Sequence, residues 1–161
     1  NNHSSKSSTQ NTCRITRIMK PIVSIGNDHA GTDLKKRILN EYADTFEFIN
    51  HGTDSSESVD YPDFVHPVAN DVESGKATFG IIICGSANGV CMTANKHQGI
   101  RAGLAWNTEV AKLIKQHNNA NVIGIPARFL SEEEALEVLQ TYIDEDYEGG
   151  RHQRRVDKIP C

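Results

Sequence analysis

The 161-residue chain is long enough to bury the core of one domain. Its formal net charge of -4, with a pI near 6.0, gives no general attraction for nucleic acid or acidic membranes. No window approaches the roughly 18 apolar residues that a membrane-spanning helix needs.

The four cysteines, Cys13, Cys84, Cys91 and Cys161, have neither metal-site spacing nor a CxxC pair. They read as reduced thiols of a cytoplasmic protein, with no metal site among them. Residues 1–18 are rich in Ser, Asn and Thr and hold no apolar run of the secretory type, so they read as a flexible N-terminal extension. Met19 reads as the functional start, and residues 19–161 as a single domain.

From Met19 onward, strands and helices alternate. Residues 22–26 form a short apolar strand and 27–31 a turn, after which Leu34, Ile38 and Tyr42 mark one helix face. Residues 46–50 read as a second strand and 52–60 as a polar loop. Pro62 suits the first turn of a helix that carries Val65, Val68, Ala69 and Val72 at i, i+3, i+4 and i+7. The unbroken run Phe79-Gly80-Ile81-Ile82-Ile83 reads as a central parallel strand covered on both faces. It breaks into Cys84-Gly85-Ser86-Ala87-Asn88-Gly89 before a helix that starts near Val90.

Residues 100–106 read as a fourth strand, interrupted by glycine. Asn107 is an N-cap for a helix with Val110, Leu113, Ile114 and His117 at helical spacing. Residues 121–125 form the fifth strand. Ser131 and Glu134 make a capping box for a last long helix with Leu136, Leu139 and Ile143 on its buried side. A basic tail, Arg151-His152-Gln153-Arg154-Arg155, follows Gly149-Gly150. The fold class is α/β, a Rossmann-like three-layer sandwich with a five-stranded parallel sheet and helices on both faces.

Right-handed βαβ units gather the loops after the strands on one edge. Asp28 and His29, the 84–89 loop and Arg128 therefore meet at the carboxyl edge, where open α/β sheets bind ligands. A small-residue turn entering a helix presents unpaired N–H groups and suits an anion. The turn is neither GxGxxG nor a Walker loop, so one phosphate or oxyanion fits it better than a nucleotide. Each piece has a plainer alternative. Cys84 could be a buried structural thiol, Asp28-His29 local turn chemistry, His117 a half-buried helix-end residue, and Arg151–Arg155 a solvated charge run. His51, His66 and His97 are assigned no role.

Taken in order, Gly26-Asn27-Asp28-His29-Ala30-Gly31, Asp60-Tyr61-Pro62, Cys84-Gly85-Ser86-Ala87-Asn88-Gly89, Ala94-Asn95-Lys96 with Gly99-Ile100-Arg101-Ala102, Gln116-His117-Asn118-Asn119-Ala120-Asn121 and the Arg151 cluster resemble one family. It is that of the type B ribose-5-phosphate isomerases and galactose-6-phosphate isomerases, and the resemblance covers about residues 19–159. The resemblance implies a cofactor-free aldose–ketose isomerase, with Cys84 as the base working through an enediolate. It implies Ser86 and the amides of Gly85, Ala87, Asn88 and Gly89 as the anion hole, and Asp28 near the sugar hydroxyls. His117, with Asn118 beside it, is similar to the ring-opening group. His29, Arg128, Arg151, His152 and Arg155 resemble the phosphate-end ligands. Some family members carry Gly at the Cys84 position and a catalytic Glu six residues later. Here that later residue is Val90, which cannot ionise, so the base should be Cys84.

His117 ends a helix antiparallel to the strands and so belongs at the amino edge, far from Cys84. If the two serve one site, as the resemblance implies, they come from different subunits, and the expectation is a homodimer with shared active sites, with pairing into tetramers left open. The alternatives are a hexose-phosphate isomerase, a non-catalytic sugar-phosphate-binding module and a thiol redox protein using Cys84 and Cys91.

Overall fold

The structure, a computed structural model, describes residues 19–161; the extension expected over residues 1–18 lies outside the described residues. Five strands, β1 (Ile22–Asn27), β2 (Glu47–Asn50), β3 (Phe79–Cys84), β4 (Ala102–Leu104) and β5 (Val122–Pro126), form an all-parallel sheet in the order β2-β1-β3-β5-β4. Between them run α1 (Thr32–Glu41), α2 (Tyr61–Glu73), α3 (Asn88–Ala94), α4 (Thr108–Gln116), α5 (Glu132–Asp144) and α6 (Arg151–Val156), with a 3₁₀ turn at His29–Gly31.

The apolar run of β3 occupies the middle of the sheet because both its faces are covered. Ile81 and Ile83 point into a core built with α1, α4 and α5, while Ile82 and Cys84 point into a second core under α2 and α3. Each fully buried isoleucine contributes about 1.5–3 kcal/mol relative to exposure. This is the three-layer α/β arrangement that the alternation predicts.

Several boundaries differ from the sequence expectation. The fourth strand shortens to Ala102–Leu104, because it lies at the sheet edge and pairs only with β5. The fifth begins at Val122 rather than residue 121, since the Asn121 side chain is bonded sideways to Gly99 O and Arg101 N. On α5 the fully buried stripe is Ala135, Val138, Leu139 and Tyr142, and Leu136 and Ile143 are only half-buried. Tyr142 takes the deep position because its hydroxyl donates to Ala120 O at 2.6 Å. The capping box at Ser131 and Glu134 forms in full. The basic tail is a helix, α6, with His152 and Val156 buried beneath its arginines.

The chain leaves β1 outward to β2, then returns across β1 to β3. The winding reverses between β1 and β3, and ligands of open α/β sheets bind outside the carboxyl ends at such a reversal. Asp28 follows β1 and Cys84 ends β3, so both fall at this crevice.

Candidate active site

A cleft of about 490 Å³ opens at that reversal. Asp28 enters from β1, Cys84, Gly85 and Ser86 from β3, and Arg128 and Phe129 from the turn after β5. Tyr61 and Gly89 close it from the starts of α2 and α3. Tyr61 and Phe129 carry no role in the sequence reading. Pro62 places Tyr61 at a helix start on this edge, which is a usable signal, whereas nothing but adjacency to Arg128 marks Phe129.

Cys84 is buried, and its Sγ accepts the backbone N–H of Ala87 at 3.1 Å. The turn that makes this contact holds Ala87 in the left-handed region at φ 61°, a conformation that an L side chain adopts at a cost of about 1–2 kcal/mol. The Ser86 hydroxyl oxygen accepts Asn88 N–H at 3.3 Å, and α3 begins at Asn88, two residues earlier than expected. Gly89 lets the Tyr61 ring lie close over the start of α3, where a Cβ would push the ring aside. Val90 is fully buried. Its neighbour Cys91 is buried as well, and that desolvation, with the Cys84 sulfur nearby, pushes its thiol up to about 12, so it stays protonated.

The Asp28 carboxylate accepts Ala30 N–H at 2.9 Å and is nearly enclosed. His29 is half-buried beside it, and its Nδ1 accepts Val59 N–H at 3.3 Å. Arg128 lies across Gly85, where a Cβ would touch its Cδ and Nη1 at 3.1 Å. Its backbone N–H donates to Gly85 O at 3.0 Å. Arg128 is exposed and makes no ion pair among the described residues.

The other expected residues sit elsewhere. His117 caps α4 and precedes β5, whereas Cys84 pairs with Pro126, the last residue of β5. The length of that strand, about 13 Å at ~3.3 Å per residue, separates them. The His117 ring stacks on that of His152 with centroids 4.3 Å apart and planes 14° from parallel. Glu148 Oε2 stands 3.5 Å from His152 Nε2. Arg151, Arg155 and Asn118 are exposed around this stack, and the Asn118 carbonyl accepts the Arg101 guanidinium. His117, Glu148 and His152 bring their ligand atoms within 4.8 Å of one another. A metal takes each imidazole lone pair in the plane of its ring, and two stacked rings do not converge on one ion.

Two further clefts, of about 420 and 390 Å³, flank β4. Among the expected site residues they contain only Asn88 and Asn118.

A family model described as ribose/galactose isomerase matches residues 23–159. Over 141 residues the chain is 40% identical to a probable ribose-5-phosphate isomerase B of Mycoplasma genitalium, covering 85% of this chain and 92% of that protein. It is 39% identical over 138 residues to ribose-5-phosphate isomerase B of Escherichia coli, covering 85% and 93%. The crystal structure of the Mycoplasma genitalium enzyme with bound ribulose-5-phosphate matches with a TM-score of 0.83 at 39% identity, covering 88% of this chain and 95% of that one. A ribose 5-phosphate isomerase from Thermotoga maritima gives 0.84 at 39% identity, covering 87% and 97%. The chain belongs to the ribose/galactose isomerase family. Within that family it is a sugar-phosphate isomerase.

Proposed function

We propose that the protein interconverts ribose 5-phosphate and ribulose 5-phosphate, with Cys84 as the base and no cofactor. The observation that carries this reading is the Cys84 Sγ in the cleft at the sheet reversal, held by Ala87 N–H at 3.1 Å, with no ionisable group at position 90. The Cys84 thiolate takes the proton from C2 of the open-chain aldose, and the C1 carbonyl oxygen becomes the enediolate oxygen. Cys84 returns the proton to C1 while the C2 hydroxyl gives up its own to O1, leaving the ketose. The Ser86 hydroxyl and the amides of Gly85, Ser86 and Gly89 stabilise the oxyanion, the step in which fixed N–H donors contribute most, since Ala87 N–H is taken by Cys84 Sγ and Asn88 N–H by Ser86 Oγ. Asp28 binds the sugar hydroxyls, and His29 and Arg128 the phosphate end.

The second half of the site comes from another copy. His117 of the partner subunit opens the furanose ring with Asn118 of the partner subunit beside it. The partner's Arg151, the partner's His152 and the partner's Arg155 reach the phosphate. Support comes from the placement of Cys84 and His117 at opposite ends of the sheet in one chain. Exposed Met92 and Trp106 beside β4 are apolar surface available to such a contact. We assign the reaction to the non-oxidative pentose phosphate branch and to the cytoplasm, a reading supported by the free thiols of Cys84, Cys91 and Cys161.

The test is ketose formation from ribose 5-phosphate, with allose 6-phosphate and galactose 6-phosphate in parallel and Cys84→Ala as control. Pentose turnover lost in the variant supports both substrate and base. Turnover of a hexose phosphate alone keeps the base and replaces the substrate. Binding without turnover of any of the three overturns the reading.

A further inference from the structure

Lys35, in the first turns of α1, is wholly buried, and a buried ammonium is costly unless it is paired and hydrogen-bonded. Its Nζ donates to Thr53 O at 2.7 Å and to Asp54 Oδ1 at 2.5 Å. Both acceptors lie on the polar loop that joins β2 to α2. The same loop is fastened at two further points. Thr32 Oγ1 donates to Ser55 O at 2.8 Å, and Asn27 Nδ2 donates to Thr53 O at 3.0 Å. Gly52 packs so closely on Asn27 that a Cβ would fall 1.6 Å from its Oδ1. The loop therefore has little freedom where it passes Lys35.

Further along, the loop's Val59 N–H donates to Nδ1 of His29, the residue after Asp28 of the cleft, 3.3 Å away. An imidazole nitrogen that accepts a hydrogen bond carries no proton, so a neutral His29 must hold its proton on Nε2. That nitrogen is then a donor, the polarity an anionic group needs.

We propose that Lys35 is a positioning residue for His29. By clamping the 52–60 loop to α1, it keeps Val59 N–H on His29 Nδ1 and so fixes Nε2 as the donor toward the phosphate end of the substrate. The substrate contact rests on the function proposed above, while the tautomer does not. Lys35 itself touches no substrate.

The test combines nitrogen-15 NMR of histidine-labelled protein with steady-state kinetics. In the wild type, assigned by comparison with His29→Gln, His29 carries its proton on Nε2 alone. In Lys35→Met the His29 signal becomes a mixture of tautomers. The same variant raises KM for ribose 5-phosphate about tenfold, the scale of one misaligned charge-assisted hydrogen bond, and changes kcat less than about twofold. His29→Gln keeps an N–H donor near the Nε2 place and retains a lower KM than His29→Asn, whose amide reaches only the Nδ1 place. A wild-type proton on Nδ1 overturns the proposal, as does a Lys35→Met protein with unchanged tautomer and KM. If Lys35→Met does not fold, Asp54→Ala, which removes the exposed partner of the Lys35 clamp, takes its place, and an unchanged His29 tautomer and KM in that variant overturn the proposal. Absence of pentose turnover in the wild type refutes the substrate assignment and leaves the tautomer result to stand or fall alone.

Discussion

The sulfur of Cys84 and the backbone nitrogen of Ala87 lie 3.1 Å apart across a turn in which Ala87 is left-handed. The N–H is a fixed donor aimed at the sulfur that the proposed mechanism uses as its base. Under the proposed mechanism, replacing Cys84 should abolish chemistry and spare binding. Cys84→Ala is expected to lower kcat by about 10³-fold, within the range of a lost general base. Isothermal titration should still detect sugar-phosphate binding, and unchanged kcat would remove Cys84 from the mechanism.

The proposed sharing of a site between two copies has a stoichiometric consequence. Cys84→Ala and His117→Ala are each expected to be inactive, and mixed one to one they should recover activity. With free exchange, half of the dimers are mixed and each carries one intact site, so recovery approaches about a quarter of wild type. Mass spectrometry of intact dimers verifies the exchange. No recovery after verified exchange would place both groups in one subunit's site.

Away from the cleft, Asp71 is bonded by His51 Nε2 at 2.6 Å and Ser24 Oγ at 2.9 Å. Burial by itself would raise its pKa, but the bonds from His51 and Ser24 outweigh that and hold it below the usual carboxylate value. A depressed folded-state pKa stabilises the fold above the unfolded value of about 3.9 and loses that contribution as pH falls through the folded value. Urea melts should therefore find Asp71→Asn less stable than wild type near pH 6. The gap should shrink below about pH 4, and a gap independent of pH would refute this assignment.

Tyr142 ties α5 to the entry of β5 through its 2.6 Å bond to Ala120 O. Tyr142→Phe leaves that buried carbonyl without a partner, at an expected cost of about 1–3 kcal/mol in denaturant melts. The segment from His117 to Asn121 lies beside this bond, so the variant should also reduce kcat under the shared-site reading. A loss of stability with kcat unchanged would make the bond purely structural.

Much of the fold was legible because burial writes itself into residue order. The run Phe79–Cys84 could only be a strand covered on both sides, and Ser131 with Glu134 could satisfy each other's helix-end N–H groups nowhere else. Elements with one partner or mixed faces were less legible. The edge strand β4 was overextended, and the deep stripe of α5 was displaced because Tyr142 sinks its ring to reach Ala120 O, a contact between residues far apart in sequence.

For the site, local sequence determined which chemical groups exist and on which edge each strand or helix end places them. That sufficed to put Asp28, Cys84 and Arg128 on one edge and His117 on the other. Tertiary structure alone decided the rest. Tyr61 and Phe129 line the cleft, His152 sits on the buried side of α6 against His117, and Lys35 is buried where it grips the loop that reaches His29. Periodicity reports which face of an element is buried, but distances between side chains on different elements depend on how those elements pack.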